Sequence, residues 1–416
     1  MYRIHQLKLP ITGADINITT AAAKYLGIPE SKVISCNIFK RSIDARDKSK
    51  LFYVYALDVE INGKPQKVFK PNEVSKITPY NYKIPKIGSR ELKTRPIVIG
   101  FGPAGIFCAY LLAQAGFKPI VLERGQAVDD RINSVNQFFE NGKLNTNSNV
   151  CFGEGGAGTF SDGKLNTLIK DKDGKGRYVL ETFVKHGANP EILYDAKPHI
   201  GTDKLIEVVK NLREEIISLG GEIHFNTFAK DFVFSDNKIT GVITDTNNIP
   251  TEICILATGH SARDTFETLY DKGVSLEPKP FAMGVRVMHK QKMINENQYG
   301  KYADLLPAAS YKLTHTCENG RGVYSFCMCP GGYVVNASSE EGYTVINGMS
   351  YSDRAGENAN SAIICNVTPD DFKNDGFGEF PLAGVEFQRK YEKLTYDKAN
   401  GKMIIQKLTD FNNNIP

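Results

Sequence analysis

A glycine motif between two apolar segments constrains this 416-residue chain more than any other feature. Pro96–Gly100 is predicted to be a short buried strand, and Ala104–Ala115 an apolar helix. In such a motif the first glycine permits a tight turn, the second lets the backbone approach a pyrophosphate, and the third lets the helix pack on the strand. The start of the helix adds free N–H groups and a positive dipole end. The sequence therefore predicts a dinucleotide site at Gly100, Gly102, Pro103, Ala104 and Gly105.

An acidic residue follows the motif at the spacing of a ribose contact. Lys118–Glu123 is predicted to be the second strand of a βαβ unit, and Glu123 ends it about 20 residues after the glycines. Its carboxylate can accept hydrogen bonds from the adenosine ribose hydroxyls, and Arg124 follows it directly. An acid at this position disfavours a ribose 2′-phosphate, so NADP is the least expected occupant. The motif alone leaves FAD and NAD open.

A second glycine-rich segment, Phe152–Leu165, contains five glycines. A regular helix is not expected here, because each glycine weakens a helix by about 1 kcal/mol. Such a segment presents backbone N–H groups and admits a flat or anionic ligand. A mobile surface loop is the alternative, but the position downstream of Glu123 favours a wall of the cofactor site. The predicted contacts are Gly156, Ala157, Gly158, Thr159, Ser161, Gly163, Lys164 and Leu165.

These motifs resemble those of known flavoproteins. Gly102-Pro-Ala-Gly105 followed by Glu123-Arg-Gly125 resembles the opening of two-dinucleotide-fold flavoproteins, in which this site holds the ADP half of FAD. Longer segments are similar to one family, the bacterial uncharacterised FAD-dependent (FAD-utilizing) dehydrogenases. The similar segments are Phe152–Leu165, Pro198–Asp203, Ala257–Asp264, Lys279–Arg286, Gly322–Gly332 and Asn347–Ser350. The resemblance spans about residues 95–367 and implies FAD as cofactor, but no particular substrate.

The resemblance also assigns a role to the end of a later strand. Cys254–Ala257 is predicted to be apolar and extended, and a similar strand in such flavoproteins places its Thr-Gly end beside the dinucleotide. Thr258 and Gly259 are therefore expected to contact the cofactor. Proteins of this family normally end with a further glycine-rich flavin-contacting segment, and nothing after Gly384 resembles it. We therefore expect that this chain lacks its natural C-terminal part.

The predicted fold class is α/β: a Rossmann-like FAD-binding domain, an inserted mixed β-rich substrate domain and a small α+β N-terminal domain. Residues 1–90 are assigned to the basic N-terminal domain with its linker, 91–272 to the FAD-binding domain and 273–416 to the substrate domain. The last of these is rich in glycine, tyrosine and cysteine, and it loses the alternation of strand and helix.

Three residues are predicted to carry catalysis, because FAD itself performs the electron transfer and the protein supplies orientation and proton transfer. Arg286 could pair with a substrate carboxylate, and His289 could move a proton near neutral pH. His260, with Arg263 and Asp264 beside it, is the second choice. For any single histidine a structural role is the favoured alternative.

The composition is that of an ordinary globular protein, with 41% hydrophobic and 24% charged residues. No apolar run reaches the roughly 20 residues that span a bilayer, and the N-terminus does not resemble a signal peptide. The sequence thus predicts a cytoplasmic protein without a membrane partner. None of the eight cysteines forms a C-x-x-C pair, so the prediction is reduced, mostly buried thiols and no metal site, with a thiol near the substrate as the alternative. A C-x₄-C pair is also missing near the motif, which argues against a disulfide reductase.

Three functions follow from these patterns. The first is an FAD-dependent dehydrogenase or reductase that acts on a small substrate, with NAD(P)H left open as electron donor. The second is a flavoenzyme that acts on RNA or another macromolecule, because residues 1–95 carry 18 basic and 8 acidic side chains. Nucleic acid is the less favoured partner, since clustered arginines and aromatic residues are missing. The third is a flavin-binding module without catalysis. No oligomeric state is predicted.

Overall fold

The structure is a computed structural model that describes residues 1–11, 16–79, 82–165, 167 and 169–415. The N-terminal part folds as one antiparallel sheet covered by a helix. Its elements are β1 (Tyr2–Pro10), α1 (Ile18–Leu26), β2 (Val33–Asp44), β3 (Phe52–Ile61) and β4 (Val74–Lys76). The strand order is β2-β3-β1-β4. Ile4 of β1 and Leu57 of β3 are fully buried in one cluster with Leu26 of α1, which gives this part its own core.

A parallel sheet forms the centre of the chain. Its elements and those between them are β5 (Ile97–Ile99), α2 (Pro103–Gln114), β6 (Ile120–Leu122), α3 (Val128–Asn141), α4 (Lys175–Lys185), α5 (Thr202–Ser218), β7 (Glu222–His224), β8 (Ala229–Ser235), β9 (Lys238–Thr244), β10 (Asn248–Pro250), β11 (Cys254–Leu256) and α6 (Arg263–Asp271). The parallel strands lie in the order β11-β5-β6-β7, and β10-β9-β8 form a separate antiparallel sheet.

Strand β5 is buried on both faces, as a central parallel strand must be. Val98 packs towards α2 and α5, whereas Ile97 and Ile99 pack towards Phe232 and Val242 of the antiparallel sheet. The predicted βαβ unit is confirmed, with β5 two residues and β6 three residues shorter than predicted. The sheet therefore lies between helices on one side and strands β8 to β10 on the other, and its carboxyl edge carries the glycine motif.

The C-terminal part is mostly antiparallel sheet, which agrees with the prediction for this region. Its elements are β12 (Phe281–Lys290), α7 (Gln291–Tyr299), β13 (Thr314–Thr316), β14 (Gly322–Cys329), β15 (Tyr333–Asn336), β16 (Ile346–Met349), β17 (Asn358–Val367), α8 (Pro369–Asn374), α9 (Ala383–Ala399) and α10 (Leu408–Asn412). One sheet has the order β12-β17-β14-β13, and β15 pairs with β16 in a hairpin.

The mixture of parallel and antiparallel sheets confirms the α/β fold class. Short 3₁₀ turns at Glu30–Lys32, Gly156–Phe160, Pro190–Leu193 and Gly300–Leu305 complete the secondary structure. In the part of the chain that the structure describes, no helix combines the length and the apolar character needed to cross a membrane.

Candidate functional site

The glycine motif forms a sharp turn between β5 and α2. Gly100 has φ +95°, a left-handed conformation that favours glycine. A Cβ atom on Gly105 would lie 1.9 Å from the carbonyl oxygen of Gly100, so only glycine allows the helix to begin this close to the strand. Gly102 is the N-cap residue of α2, and no side chain caps the helix there. Pro103 and Ala104, the first two residues of the helix, are exposed. The first turn of α2 is therefore open to an anionic group, which fits the pyrophosphate of a dinucleotide.

The second glycine-rich segment packs directly on this motif. The backbone N–H of Gly155 donates to the carbonyl oxygen of Phe101 at 2.9 Å, and a Cβ on Gly156 would lie 3.0 Å from the Cα of Gly102. Gly153, Gly155 and Gly156 all have positive φ, and the segment forms only a 3₁₀ turn at Gly156–Phe160. The segment thus lies beside the motif, and its role as a wall of the cofactor site stays a prediction.

Glu123, the predicted ribose contact, is buried and joins three backbone segments. Its carboxylate accepts hydrogen bonds from the N–H groups of Phe101 at 2.7 Å, Gly125 at 2.8 Å and Gly153 at 3.1 Å. A carboxylate has about four acceptor positions, so one remains for a ribose hydroxyl. The structure thus adds a structural role to Glu123, and its ribose contact stays a prediction.

Arg124 lies between two aromatic rings rather than in open solvent. Its guanidinium is 4.7 Å from the ring centre of Phe152 and 4.0 Å from that of Phe228, and it bonds to the Asp264 carboxylate at 2.7 Å. Arg124 and Asp264, which were assigned to cofactor and catalysis respectively, therefore form one ion pair between the end of β6 and the start of α6.

The segment after β11 lies against the glycine motif. A Cβ on Gly100 would be 2.5 Å from the carbonyl oxygen of Ala257 and 3.2 Å from the Cα of Thr258. Gly259 has φ +74°, and the described residues leave open space around the position of its Cβ. Thr258 and Gly259 thus lie at the same sheet edge as the motif.

Arg131 of α3, a residue that the sequence did not single out, holds the glycine-rich segment in place. It is fully buried and donates to the carbonyl oxygens of Asn149 at 2.9 Å, Val150 at 3.1 Å and Glu154 at 2.6 Å. Burial lowers the pKa of Arg131 to about 10, so it stays protonated at neutral pH. The sequence signal that could have pointed to Arg131 is its position three residues after the apolar Val128, a spacing that places both side chains on one face of a helix.

Glu154 reinforces the same segment from within. Its carboxylate accepts from the backbone N–H of Val128 at 2.8 Å and from Arg213 at 2.6 Å, and it is completely buried. Burial raises the pKa of Glu154 above its ordinary value. The shape of the glycine-rich segment is thus fixed by buried polar contacts rather than by apolar packing alone.

Further along the glycine-rich segment, several ionisable side chains meet residues of the C-terminal part. We call Asp162, Lys164, His199, Arg286 and Arg354 the charged cluster. Asp162 is 1% exposed, and its carboxylate lies 3.1 Å from Lys164 Nζ and 3.0 Å from Arg354 Nη2. Burial alone would raise the pKa of Asp162, but the two cations hold it below its ordinary value. Asp162 is therefore a carboxylate at neutral pH.

His199 belongs to this cluster through its backbone and its charge environment. It forms an isolated antiparallel bridge with Lys164. Burial and the charge of Arg354 lower the pKa of His199 to about 4, so its imidazole is neutral at neutral pH. Its Nε2 is buried, and no described residue bonds to it. The sequence had placed His199 only within a family segment.

Arg286, the predicted substrate-binding arginine, joins the cluster from β12. Its Nε donates to Asn360 Oδ1 at 2.9 Å, and its Nη2 donates to the carbonyl oxygen of Cys327 at 2.8 Å. The Cys329 Sγ lies 3.7 Å from Arg286 Nη2 and also 3.7 Å from Lys164 Nζ. The structure thus brings together predicted cofactor-binding and catalytic residues that are more than 100 positions apart.

The two predicted catalytic histidines lie elsewhere. His289 is three residues from Arg286 on β12, which pairs in regular register, so the two side chains point to opposite faces of the sheet. Its Nε2 bonds to the Tyr311 hydroxyl at 2.8 Å. His260 follows β11, beside the Ser261 hydroxyl at 3.3 Å, and burial lowers its pKa. Neither histidine touches the charged cluster, and their proposed proton transfer stays a prediction.

Arg263, the neighbour of His260, is occupied by ion pairs. It donates to Glu340 and Glu392 carboxylates and to Gln388, and its side chain is 8% exposed. These contacts fix α6 to α9. Among the described residues, no group of three or more side chains has the arrangement of a metal site.

Comparison with known proteins identifies the relatives of this chain. A family model described as FAD-dependent protein, C-terminal domain-like, matches residues 280–416, and a domain of unknown function (DUF8436) matches residues 1–60. An uncharacterised protein of Clostridium beijerinckii (strain ATCC 51743 / NCIMB 8052) is 46% identical over 98% of this chain and 77% of its own length. This chain belongs to a bacterial family of FAD-dependent proteins. The resemblance stated from the motifs is thereby confirmed, and FAD is the cofactor of the family.

Solved structures are more distant from this family member. The THI4 protein of Thermovibrio ammonificans is 17% identical, with a TM-score of 0.31, over 45% of this chain and 66% of that one. A glycerol-3-phosphate dehydrogenase from Bacillus halodurans, complexed with FAD, is 12% identical, with a TM-score of 0.32, over 73% of this chain and 55% of that one. This chain thus covers less than two thirds of the length of either solved chain.

Proposed function

We propose that this chain is an FAD-dependent dehydrogenase or reductase that acts on a small anionic substrate at the charged cluster. The observation that carries the proposal is the charge balance of that cluster. Lys164, Arg286 and Arg354 supply three positive charges, whereas Asp162 supplies one negative charge and His199 is neutral. In a half-buried site of low dielectric constant, an excess of positive charge favours an anion strongly.

Buried polar atoms in the same place support a ligand. Within the described residues, His199 Nε2, Arg354 Nε and Asn360 Nδ2 are buried without a protein partner. A buried polar group that lacks a hydrogen bond costs roughly 1–3 kcal/mol, so such groups normally bind a ligand or water. Asn360 also orients Arg286, which ties these atoms to the proposed substrate contact.

The protein's own residues would hold the cofactor and orient the substrate. When bound, FAD supplies the exchange of a hydride or an electron pair with the substrate. Gly102 and the N-terminus of α2 would hold its pyrophosphate, and the glycine-rich segment would line its flavin half. Arg286 is fixed by Asn360 and by the carbonyl oxygen of Cys327, so its remaining N–H groups are held ready to bind a carboxylate.

His199 is proposed as a neutral hydrogen-bonding group rather than as an acid. With a pKa of about 4, its imidazole carries no charge at neutral pH and adds no further positive charge to the site. Proton transfer would then be left to His260, to His289 or to the substrate itself. NAD(P)H as the electron donor is part of the same proposal.

The alternative of a macromolecular substrate has less support. A cavity of about 760 Å³ lies on the N-terminal sheet, and its lining includes Lys8, Lys40 and Arg46. Asp44 bonds to Lys8 at 2.9 Å and to Arg46 at 2.7 Å, and so offsets the charge of two of these cations. A surface that binds RNA needs a stronger positive patch than this.

The test is a titration of the FAD-loaded protein with benzoate and, separately, with the neutral analogue benzamide. The expected result is a saturable change in the visible flavin spectrum with benzoate alone. Arg286→Gln should weaken benzoate binding at least about tenfold, which corresponds to about 1.4 kcal/mol. Arg46→Gln, which removes an exposed guanidinium from the N-terminal sheet, is the matched control and should bind benzoate as the wild type does.

Two outcomes would contradict the proposal. Equal responses to benzoate and benzamide would show that the site does not select an anion. The second outcome is a bound flavin that dithionite reduces but that NADH, NADPH and a panel of anionic substrates all fail to reduce. This result would favour a flavin-binding module without catalysis.

A further inference from the structure

Two cysteines of β14, Cys327 and Cys329, lie against the charged cluster with their sulfurs close together. The two Sγ atoms are 4.0 Å apart, within reach of a hydrogen bond between the two thiols, and the Cys329 Sγ lies 3.2 Å from the carbonyl oxygen of Cys327. In a disulfide the sulfurs are about 2.05 Å apart, so a movement of about 2 Å would join them. Only Met328 separates the two cysteines in the chain.

The backbone of β14 is bent at this point in a way that brings the sulfurs together. In a regular strand, residues two apart lie about 6.6 Å from each other, near the upper limit for a disulfide. Here the pairing of β14 with β17 shifts its register between Phe326 and Cys329, and Cys327 has φ +45°. A left-handed conformation is uncommon for cysteine, and such strained positions concentrate at functional sites.

The surrounding charges prepare one of the two sulfurs for reaction. The contact with the Cys329 thiol lowers the pKa of Cys327 below its ordinary value against the effect of burial, and Lys164 and Arg286 contribute to the lowering. The pKa of Cys329 is raised by the same interaction and by burial. By contrast, burial raises the pKa of Cys254 to about 12. Cys327 therefore forms a thiolate more readily than an ordinary buried cysteine does.

We infer that Cys327 and Cys329 form a redox-active dithiol/disulfide couple, in which Cys327 attacks and Cys329 completes the disulfide. Cys327 is partly exposed, whereas Cys329 is fully buried, and this order of access suits the two roles. The acidic group that faces the pair is Asp162, which is already paired with Lys164. The inference goes beyond the proposed function and does not depend on bound flavin.

The oxidant that the couple requires is a low-molecular-weight disulfide. The Cys327 thiolate attacks one sulfur of this disulfide, which forms a mixed disulfide and releases one thiolate. The Cys329 sulfur then attacks Cys327 Sγ, gives up its proton to the second departing thiolate, and closes the internal disulfide. The net reaction oxidises the two cysteines by two electrons and reduces the external disulfide to one thiolate and one thiol.

The experiment uses the full chain, reduced and desalted, and exposes it to oxidised glutathione before the free thiols are trapped with N-ethylmaleimide. Peptide mass spectrometry should find an internal Cys327–Cys329 disulfide that dithiothreitol reduces. Cys365 should stay a free thiol and be found alkylated by N-ethylmaleimide. Cys329→Ser should stop the reaction at one glutathione on Cys327. Cys365→Ser, on the neighbouring strand β17, is the matched control and should form the disulfide as the wild type does.

A second measurement follows the rate of Cys327 alkylation by iodoacetamide as the pH changes. The rate should reach half its maximum at a clearly lower pH than the pKa of about 8.5 of an ordinary thiol, because the pKa of Cys327 is lowered. The inference would be overturned if Cys327 did not react with oxidised glutathione in either the wild type or Cys329→Ser. It would also be overturned if the glutathione adduct of the wild type were never converted into the internal disulfide. Alkylation with the pH profile of an ordinary thiol would also overturn it. Wild-type protein alone suffices for this measurement if a variant fails to fold.

Discussion

The dinucleotide end and the charged cluster of this protein are built in different ways. The dinucleotide end consists of backbone turns at Gly100, Gly102 and Gly105, which are close neighbours in the sequence and leave a helix N-terminus open. The charged cluster consists of side chains from distant segments, and its most separated contact joins Asp162 to Arg354 across 192 positions. The first region depends on the absence of side chains, and the second depends on their charges.

This difference predicts that one added methyl group does more harm at the dinucleotide end than the loss of a charge does in the cluster. Gly105→Ala would place its Cβ 1.9 Å from a backbone oxygen, which cannot move without shifting β5 or α2. We expect the free energy of unfolding to fall by about 3 kcal/mol, the upper range for overpacking. Urea unfolding measures this change.

Gly88→Ala is the control, because its Cβ meets no described atom within 4 Å. This variant should match the wild type within about 0.5 kcal/mol. A Gly105→Ala protein as stable as Gly88→Ala would show that the close packing of strand and helix is not required.

In the charged cluster, the loss of one cation should have an intermediate effect. Arg354→Met leaves the buried carboxylate of Asp162 with Lys164 as its remaining cation. We expect a loss of about 2 kcal/mol in urea unfolding, below the 3–5 kcal/mol of a fully unpaired buried charge. Arg46→Ala, whose side chain is 83% exposed in its pair with Asp44, should lose much less, because solvent screens a surface ion pair. Equal losses in the two variants would break the distinction between a buried and a surface ion pair.

The last prediction concerns pH and tests the charged cluster. The pKa of His199 is about 4 in the folded chain and about 6.5 when unfolded, so the unfolded chain binds the extra proton between these values. This contribution to stability is complete above pH of about 6.5 and is lost as the pH falls towards 4. His199→Gln should therefore reduce the loss of stability over this interval, as measured by urea unfolding across the pH range. An unchanged pH dependence would show that His199 is not buried as neutral imidazole.

The sequence was most informative where the chemistry is local. The βαβ unit could be predicted because its strand, glycine turn and helix are contiguous between residues 96 and 123, and each step has its own local signal. The element boundaries differ by only one or two residues. The α/β fold class and the antiparallel character of the C-terminal part also follow from patterns within short segments.

Long-range contacts could not be predicted in the same way. Arg286 was identified from its chemistry, but neither its hydrogen bond to Asn360 nor the approach of Lys164 to Cys329 leaves a pattern in a single sequence. Glu123 was assigned to ribose, whereas its contact with Gly153 arises only when a segment 30 residues away folds over it. These contacts depend on how the chain closes on itself.

The cysteine pair shows a further limit. Cys327-Met-Cys329 has neither of the spacings expected of zinc or thioredoxin-like sites, so the sequence predicted ordinary reduced thiols. The shift in register and the positive φ at Cys327 could not be foreseen, because such turns are normally signalled by glycine or asparagine. Without that bend, the two sulfurs would not have been expected to meet.

The most direct test of the dinucleotide site is FAD binding by the wild type, Gly102→Ala and Gly88→Ala. Two quantities are measured for each protein: the flavin absorbance that remains after desalting and the dissociation constant for FAD. Gly102 does not have positive φ, and its added Cβ would meet Gly156 Cα at an ordinary 3.6 Å, so the fold should survive the substitution. We expect the wild type and Gly88→Ala to retain FAD equally. Gly102→Ala should bind FAD about tenfold or more weakly, a loss of about 1.4 kcal/mol in binding free energy, with unchanged stability. Equal FAD affinity in all three proteins would contradict the claim that the pyrophosphate lies against Gly102.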